Sequence, residues 1–239
     1  MNQSAEPSLW NSLAARGGVN LQNQQREKIS RYLELLLAAN ARMNLTRIVD
    51  PKSAEILHVG DALTVLPFLP ATSHRLADVG SGGGVPGIIL AIARPDARVT
   101  LIEATKKKAE FLKTAIDELG LTNVTVEPIR AEEAGRSELR ESFDVAVARA
   151  VATLDWLAEW MLPLVKKGGV MLAMKGQKAA DELAGARRIV AKLGGGAGEI
   201  IPVELPGAEH HVILRFRKIG TTDSRWPRAA SAAKGRPLA

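Results

Sequence analysis

The run Leu76-Ala77-Asp78-Val79-Gly80-Ser81-Gly82-Gly83-Gly84-Val85-Pro86-Gly87 holds the residues best suited to bind a ligand. A short apolar strand enters it, and an apolar helix with Ile88 to Ile92 leaves it. Gly80, Gly82 and Gly84 permit a tight turn and let a ligand lie against bare backbone. The helix start adds unpaired N–H groups and the positive end of a dipole. Open α/β sheets bind nucleotide-like cofactors this way, at the carboxyl ends of their strands. Gly82-x-Gly84-x-x-Gly87 fits the dinucleotide fingerprint, but five glycines in eight positions satisfy many patterns.

Asp-Val-Gly-x-Gly-x-Gly is the better description, and it resembles the S-adenosylmethionine loop of class I methyltransferases. Pro86 leans the same way: it removes one N–H that a pyrophosphate would use, and S-adenosylmethionine has no phosphate. Glu103 closes the next predicted strand, 21 residues after Gly82. A carboxylate there can accept both ribose hydroxyls of an adenosine, in either cofactor. Asp78 can bond the loop backbone or the cofactor's amino group. Ala131 and Glu132 fall where a loop would border the adenine.

The reaction is narrowed by what is missing. Methylation at pyrimidine C5 generally needs a cysteine nucleophile, and the chain has no cysteine. Exocyclic amine methylation in this fold commonly uses an Asn/Asp-Pro-Pro-aromatic motif after strand four, where this chain reads Ala148-Arg149-Ala150. Guanine N7 is an exposed lone pair with no proton to remove, and N7 with O6 forms the edge that arginine reads. Arg149 is therefore expected to position a guanine or the methionine end of the cofactor. Lys175 could serve as a base toward a ribose 2′-hydroxyl, although no full Lys-Asp-Lys-Glu set accompanies it. His210-His211 are strand neighbours that point to opposite faces, so no metal site is expected. Lys106-Lys107-Lys108 reads as the solvated first turn of a helix.

These residues need a sheet to carry them. Strands are predicted at Arg75–Val79, Arg98–Ile102, Asn123–Glu127, Phe143–Val147 and Val170–Met174, with helices between them. Two last strands, Ile200–Glu204 and His211–Arg217, suit an antiparallel pair at the end of the series. The expected fold is α/β: a Rossmann-like methyltransferase sheet with helices on both faces and an N-terminal helical extension. The expected division is 1–67 for the extension, 68–219 for the core and 220–239 for a basic tail. In the extension, Asn20 can cap a long helix with Ile29, Leu33, Leu36 and Leu37 on one face.

Aromatic residues make up only 4%, so aliphatic side chains must build the core. No apolar run reaches the ~18 residues of a membrane span, and no secretory signal is visible, which points to a cytoplasmic enzyme. Net charge is +6, and from Arg215 onward seven basic residues face one acid, Asp223. A basic end on a neutral body suggests a nucleic acid partner. From Gly220 the chain has no periodicity and is expected to be weakly ordered without RNA.

Together these pieces resemble the bacterial small-subunit ribosomal RNA guanine-N7 methyltransferases. The matching residues include Asn44-Leu45-Thr46, His58-x-x-Asp61, the loop from Asp78 to Gly87, Arg130-Ala131-Glu132-Glu133, Phe143-Asp144, Arg149-Ala150, Lys175-Gly176 and His211-Val212-Ile213. The resemblance runs from about residue 20 to 218, and Arg225-Trp226-Pro227-Arg228 is similar to a basic ending in part of the family, with Trp in place of Tyr. It implies S-adenosylmethionine as cofactor and a guanine of 16S rRNA, naked or in the 30S subunit, as substrate of a monomeric enzyme. It places Gly80, Val85, Ala131, Glu132 and Arg149 at the cofactor and Glu103 at its ribose, with Asp78, Ser81, Gly82 and Gly84 from the loop. Arg130, Lys175, Arg225, Arg228, Lys234 and Arg236 are candidates for RNA contacts by charge and placement. An NAD-dependent oxidoreductase, a ribose 2′-O-methyltransferase and an RNA-binding assembly protein with a vestigial pocket remain as alternatives.

Overall fold

The computed structural model describes residues 8–233, so Lys234 and Arg236 lie outside the described residues. The chain begins with α1 (Leu9–Arg16) and α2 (Asn23–Met43), then α3 (Pro51–Ala54), a π-helical turn (Glu55–Gly60) and α4 (Asp61–Leu63). The alternating part follows: β1 (Arg75–Val79), α5 (Gly87–Ala93), β2 (Arg98–Ile102), α6 (Lys106–Leu119), β3 (Val124–Glu127) and α7 (Ala131–Ala134). Then come β4 (Phe143–Arg149), α8 (Leu154–Met161), β5 (Val165–Lys175), α9 (Ala179–Lys192), β6 (Gly195–Pro202), β7 (Val212–Lys218) and α10 (Ala230–Ala233). Among the described residues no helix is long and apolar enough to cross a membrane.

The seven strands form one sheet in the order β3-β2-β1-β4-β5-β7-β6. β1 to β5 run parallel, and β7 lies antiparallel between β5 and β6. Successive strand residues serve opposite faces. Leu76 joins the core of one face with Ile29, Leu36, Ile88 and Leu112, whereas Ala77 and Val79 join the other with Phe143, Leu157 and Leu183. The extension therefore shares the core beneath α5 and α6, and covering both faces makes the parallel strands almost wholly apolar. Tyr32 of α2 is fully buried and its hydroxyl donates to Gly83 O at 2.6 Å, bringing the extension against the glycine loop.

Several boundaries differ from the sequence expectation. Gly168-Gly169 and Gly194-Gly195-Gly196 look like breaks before strands. Instead β5 starts at Val165, and the β4–β5 register shifts between Phe143 and Val145, so the glycines sit in a bulge. β6 starts at Gly195 with a similar shift before Gly198. α2 begins at Asn23, after Gln22 N has donated to Gln25 Oε1 at 2.9 Å, three residues past Asn20.

The expectation of a weakly ordered segment after Gly220 is corrected for residues 220–229, which pack on the body. Thr222 and Pro227 are buried, and Trp226 is half-buried against the core. Arg140 donates to the carbonyls of Gly135 (2.9 Å), Trp226 (2.6 Å), Thr222 (2.6 Å) and Asp223 (3.1 Å). One guanidinium thus supplies the donors that secondary structure would otherwise provide, so order here needs no periodicity. Arg140→Ala should lower stability by about 3 kcal/mol in urea unfolding, because the carbonyls of Gly135, Thr222 and Trp226 lose the donor it supplies. A change under about 0.5 kcal/mol, ordinary for a surface site, would show that the segment is only resting on the body.

Candidate active site

A cleft of about 1090 Å³ opens at the carboxyl ends of the central strands. Its floor is the glycine loop, where Gly80 and Gly82 take the left-handed region at φ +72° and +57°. A Cβ on Gly80 would come within 2.8 Å of Val151, so a larger residue closes this wall. Two carboxylates hold the loop. Glu103 Oε2 accepts from Gly82 N at 2.9 Å and its Oε1 from Thr105 N at 2.7 Å. Asp78 Oδ2 accepts from Gly87 N at 2.9 Å, while Oδ1 is buried with no partner among the described residues. Burial raises the Asp78 carboxyl from 3.8 to about 7, against the pull of that hydrogen bond and of Arg149.

Of the expected site residues, Gly80, Ser81, Gly82, Val85, Glu103, Ala131, Glu132 and Arg149 line the cleft, as do Arg130 and Lys175. Asp78 and Gly84 lie beneath it. Asp78 is spent on the backbone of α5, and a Cβ at Gly84 would meet Ile88 at 2.6 Å, so this glycine serves the packing of the helix. The RNA candidates divide. Arg130 is exposed, its guanidinium 3.9 Å from Glu132. Lys175 Nζ is 2.8 Å from Glu182 Oε2 and also donates to Ala152 O. Arg225 pairs with Asp223 at 2.9 Å, and Arg228 with Glu159 at 2.7 Å.

Opposite the loop, the extension brings a group that the sequence reading left out of the site. Arg149, at the end of β4, donates from Nη1 to Leu57 O at 2.7 Å and Asp61 Oδ2 at 3.3 Å. Its Nη2 donates to His58 Nδ1 at 3.0 Å. Because arginine only donates, Nδ1 is the acceptor and the His58 proton sits on Nε2, 3.1 Å from Thr46 Oγ1. His211 Nδ1 reaches Asp61 Oδ1 at 3.1 Å. Thr46, His58, Asp61 and His211 all line the cleft. Asn44 and Ala150, also in its lining, hold positive φ at 52° and 53°. The signal was present as His58-x-x-Asp61 and Asn44-Leu45-Thr46, but nothing in their spacing shows that they face β4.

Burial and the Arg149 charge push His58 down from 6.5 to about 4, whereas the bond to Asp61 raises His211. As pH falls, the unfolded chain protonates at His58 before the folded one does. Stability from His58 is thus complete above about 6.5 and lost as pH falls toward 4, by roughly 3 kcal/mol. His211 has the opposite sign: its contribution is complete below 6.5 and lost as pH rises through its raised value. His58→Asn should flatten the stability–pH curve between pH 4 and 6.5 relative to the unaltered chain. Parallel curves would mean that His58 titrates normally in the folded state.

The rRNA small subunit methyltransferase G family (GidB) matches residues 25–205. A relative so named from Leuconostoc citreum strain KM20 is 40% identical over 226 residues, covering 93% of this chain and 95% of the relative. Another of that name, from Sorangium cellulosum strain So ce56, is 45% identical over 212 residues, covering 88% and 87%. Among solved structures, a SAM-dependent methyltransferase from Aquifex aeolicus has a TM-score of 0.56 at 16% identity, over 74% of this chain and 97% of its own. A 16S rRNA (adenine(1408)-N(1))-methyltransferase from Catenulisporales acidiphilia has a TM-score of 0.51 at 16% identity, over 64% and 88%. These two show the fold, and the sequence relatives show the family: the chain belongs to the ribosomal RNA small subunit methyltransferase G family.

Proposed function

We propose that this protein transfers a methyl group from S-adenosylmethionine to N7 of a guanine in 16S ribosomal RNA. Family membership supplies the reaction class. The observation that carries the cofactor is the state of the α5 start. Pro86 has no N–H, the Gly87 N–H is taken by Asp78 at 2.9 Å, and the Ile88 N–H by Gly84 O at 2.8 Å. A dinucleotide would present its pyrophosphate where these donors are already used. S-adenosylmethionine asks for none of them, and the bare backbone of Gly80, Gly82 and Gly83 faces the cleft.

Bound there, S-adenosylmethionine supplies an electrophilic methyl group on its sulfonium. Glu103 keeps lone pairs beyond those given to Gly82 and Thr105, and these suit the ribose hydroxyls. Ala131 and Glu132 border the nucleoside end. On the acceptor side the chain needs to hold a guanine edge, not to remove a proton. The local titratable groups agree with that. His58 is held neutral with Nδ1 given to Arg149 and Nε2 to Thr46, so neither nitrogen is free to act as a base. Lys175, the base a ribose 2′-O reaction would call on, is committed to Glu182 and Ala152 O. Arg149 fixes the acceptor wall by joining the π turn to β4. The reading is completed by a monomer acting in the cytoplasm on rRNA or the 30S particle.

Mass mapping of methylated guanines in 16S rRNA from a strain lacking the gene tests the assignment directly: one N7-methylguanine should disappear and return with the gene. Glu103→Ala should weaken S-adenosylmethionine binding by about 1–3 kcal/mol in calorimetry. In single turnover with RNA bound, the rate should show no basic limb between about pH 6 and 9. A profile requiring one deprotonation in that window would count against direct attack by N7.

A further inference from the structure

The segment after β7 joins two elements that would otherwise meet only by packing. On the α7 side, Arg136 Nη1 donates to Pro227 O at 2.6 Å, and Arg140 donates to the carbonyls of Thr222 and Trp226. Gly135 leaves room for the proline ring, since a Cβ there would come within 2.9 Å of Pro227 Cγ. On the α8 side, Glu159 is 1% exposed and its carboxylate accepts from Arg228 N and Nε at 2.9 Å each and from Nη2 at 2.7 Å. The Arg228 guanidinium also lies 5.7 Å from the centre of the Trp156 ring. Trp156 stacks on Trp160 with centroids 5.3 Å apart, and Trp160 lines the cleft. Ala131 and Glu132, the first residues of α7, line it too.

We propose that residues 222–228 clamp α7 to α8 and so set the wall formed by Ala131, Glu132 and Trp160. Arg228 is then a positioning residue for cofactor binding, acting through Glu159 and the stacked tryptophans. This rests on the reading that the cleft takes S-adenosylmethionine. A basic segment at the end of a chain suggests phosphate contacts, but here the fork of the guanidinium is matched to a buried carboxylate. A carboxylate so enclosed needs its partner, which makes the segment part of the body and not an arm.

The test uses the full chain. Arg228→Ala, and the double variant Glu159→Gln with Arg228→Gln, are compared with the unaltered protein. The double variant removes the clamp without leaving a buried charge, so the test stands if the single variant fails to fold. Calorimetry with S-adenosylmethionine should show Kd raised about tenfold or more in both, with KM for the cofactor rising in step. Arg228→Lys should not restore it, because an ammonium cannot match both carboxylate oxygens. The KM for RNA and the salt dependence of RNA binding should stay unchanged. A folded variant with unaltered cofactor Kd would overturn the clamp. So would a log–log salt slope flattened by roughly 0.7–0.9, the mark of one lost phosphate contact. If the unaltered protein itself binds no S-adenosylmethionine, the functional reading fails first and the clamp with it.

Discussion

The Arg149 guanidinium joins the last residue of β4 to the turn that leads into α4, and the wall of the cleft opposite the glycine loop is held by that link. Its side chain is 19% exposed and that of Asp61 only 3%, so neither charge has much water to rely on. Buried charges persist only when paired and hydrogen-bonded. The extension meets this demand with a carbonyl, a carboxylate and a ring nitrogen, all between Leu57 and Asp61. The turn that carries them is π-helical, a geometry found mostly where function displaces a helix from regular pitch. His58 pays for the arrangement with its basicity, and His211, just before β7, bonds the other oxygen of Asp61. The sheet, the extension and the antiparallel strand thus converge on one ion pair.

The opposite wall obeys the same rule with carboxylates instead of a guanidinium. Asp78 and Glu103 end β1 and β2, and each accepts a backbone N–H of the glycine loop. The loop is therefore held in shape before any ligand arrives. Using the Gly87 N–H in this way removes an anion site from the helix start, so a structural bond also decides what class of cofactor fits. Gly87 itself is constrained by the bond: a Cβ would stand 2.6 Å from Asp78 Oδ2 and 2.4 Å from Leu101. The glycines of this run consequently divide by role, with Gly80 and Gly82 facing the cleft and Gly84 and Gly87 facing the core.

The parallel strands were readable because apolar runs between turn residues leave little choice of architecture, and Glu103 could be placed by counting from Gly82, but the order of the strands in the sheet follows only from their pairing. Asp78 was placed at the right end of its strand, yet its orientation toward α5 follows from the pleat and from the close approach of Gly87, neither of which is visible in one dimension. His58, Asp61 and His211 come from positions up to 153 residues apart, and only the folded chain sets His58 and Asp61 against Arg149 and His211 against Asp61. Bulges at Gly168 and Gly195 escaped notice for a related reason: a glycine that ends a strand and one that kinks it have the same sequence signature.

Charge is the property for which sequence position misleads most. The net +6 can be assigned wholly to residues from Arg215 onward, which suggests an exposed basic arm. In space three of its basic residues meet acids from elsewhere, and Arg225 meets Asp223 within the segment. Arg215 meets Glu199, Lys218 lies 3.4 Å from Glu141 and is fully buried, and Arg228 meets Glu159. Burial lowers Lys218 to about 8, which further weakens any field it could project. Arg47, Lys108 and Arg130 line the cleft instead, and of these Arg130 stands near a carboxylate, 3.9 Å from Glu132. A polyanion approaching the molecule meets the field of unpaired surface cations, not the sum over a stretch of sequence. Sequence position therefore overstates the charge that this end presents, because acids of the body offset Arg215, Lys218 and Arg228 where they fold.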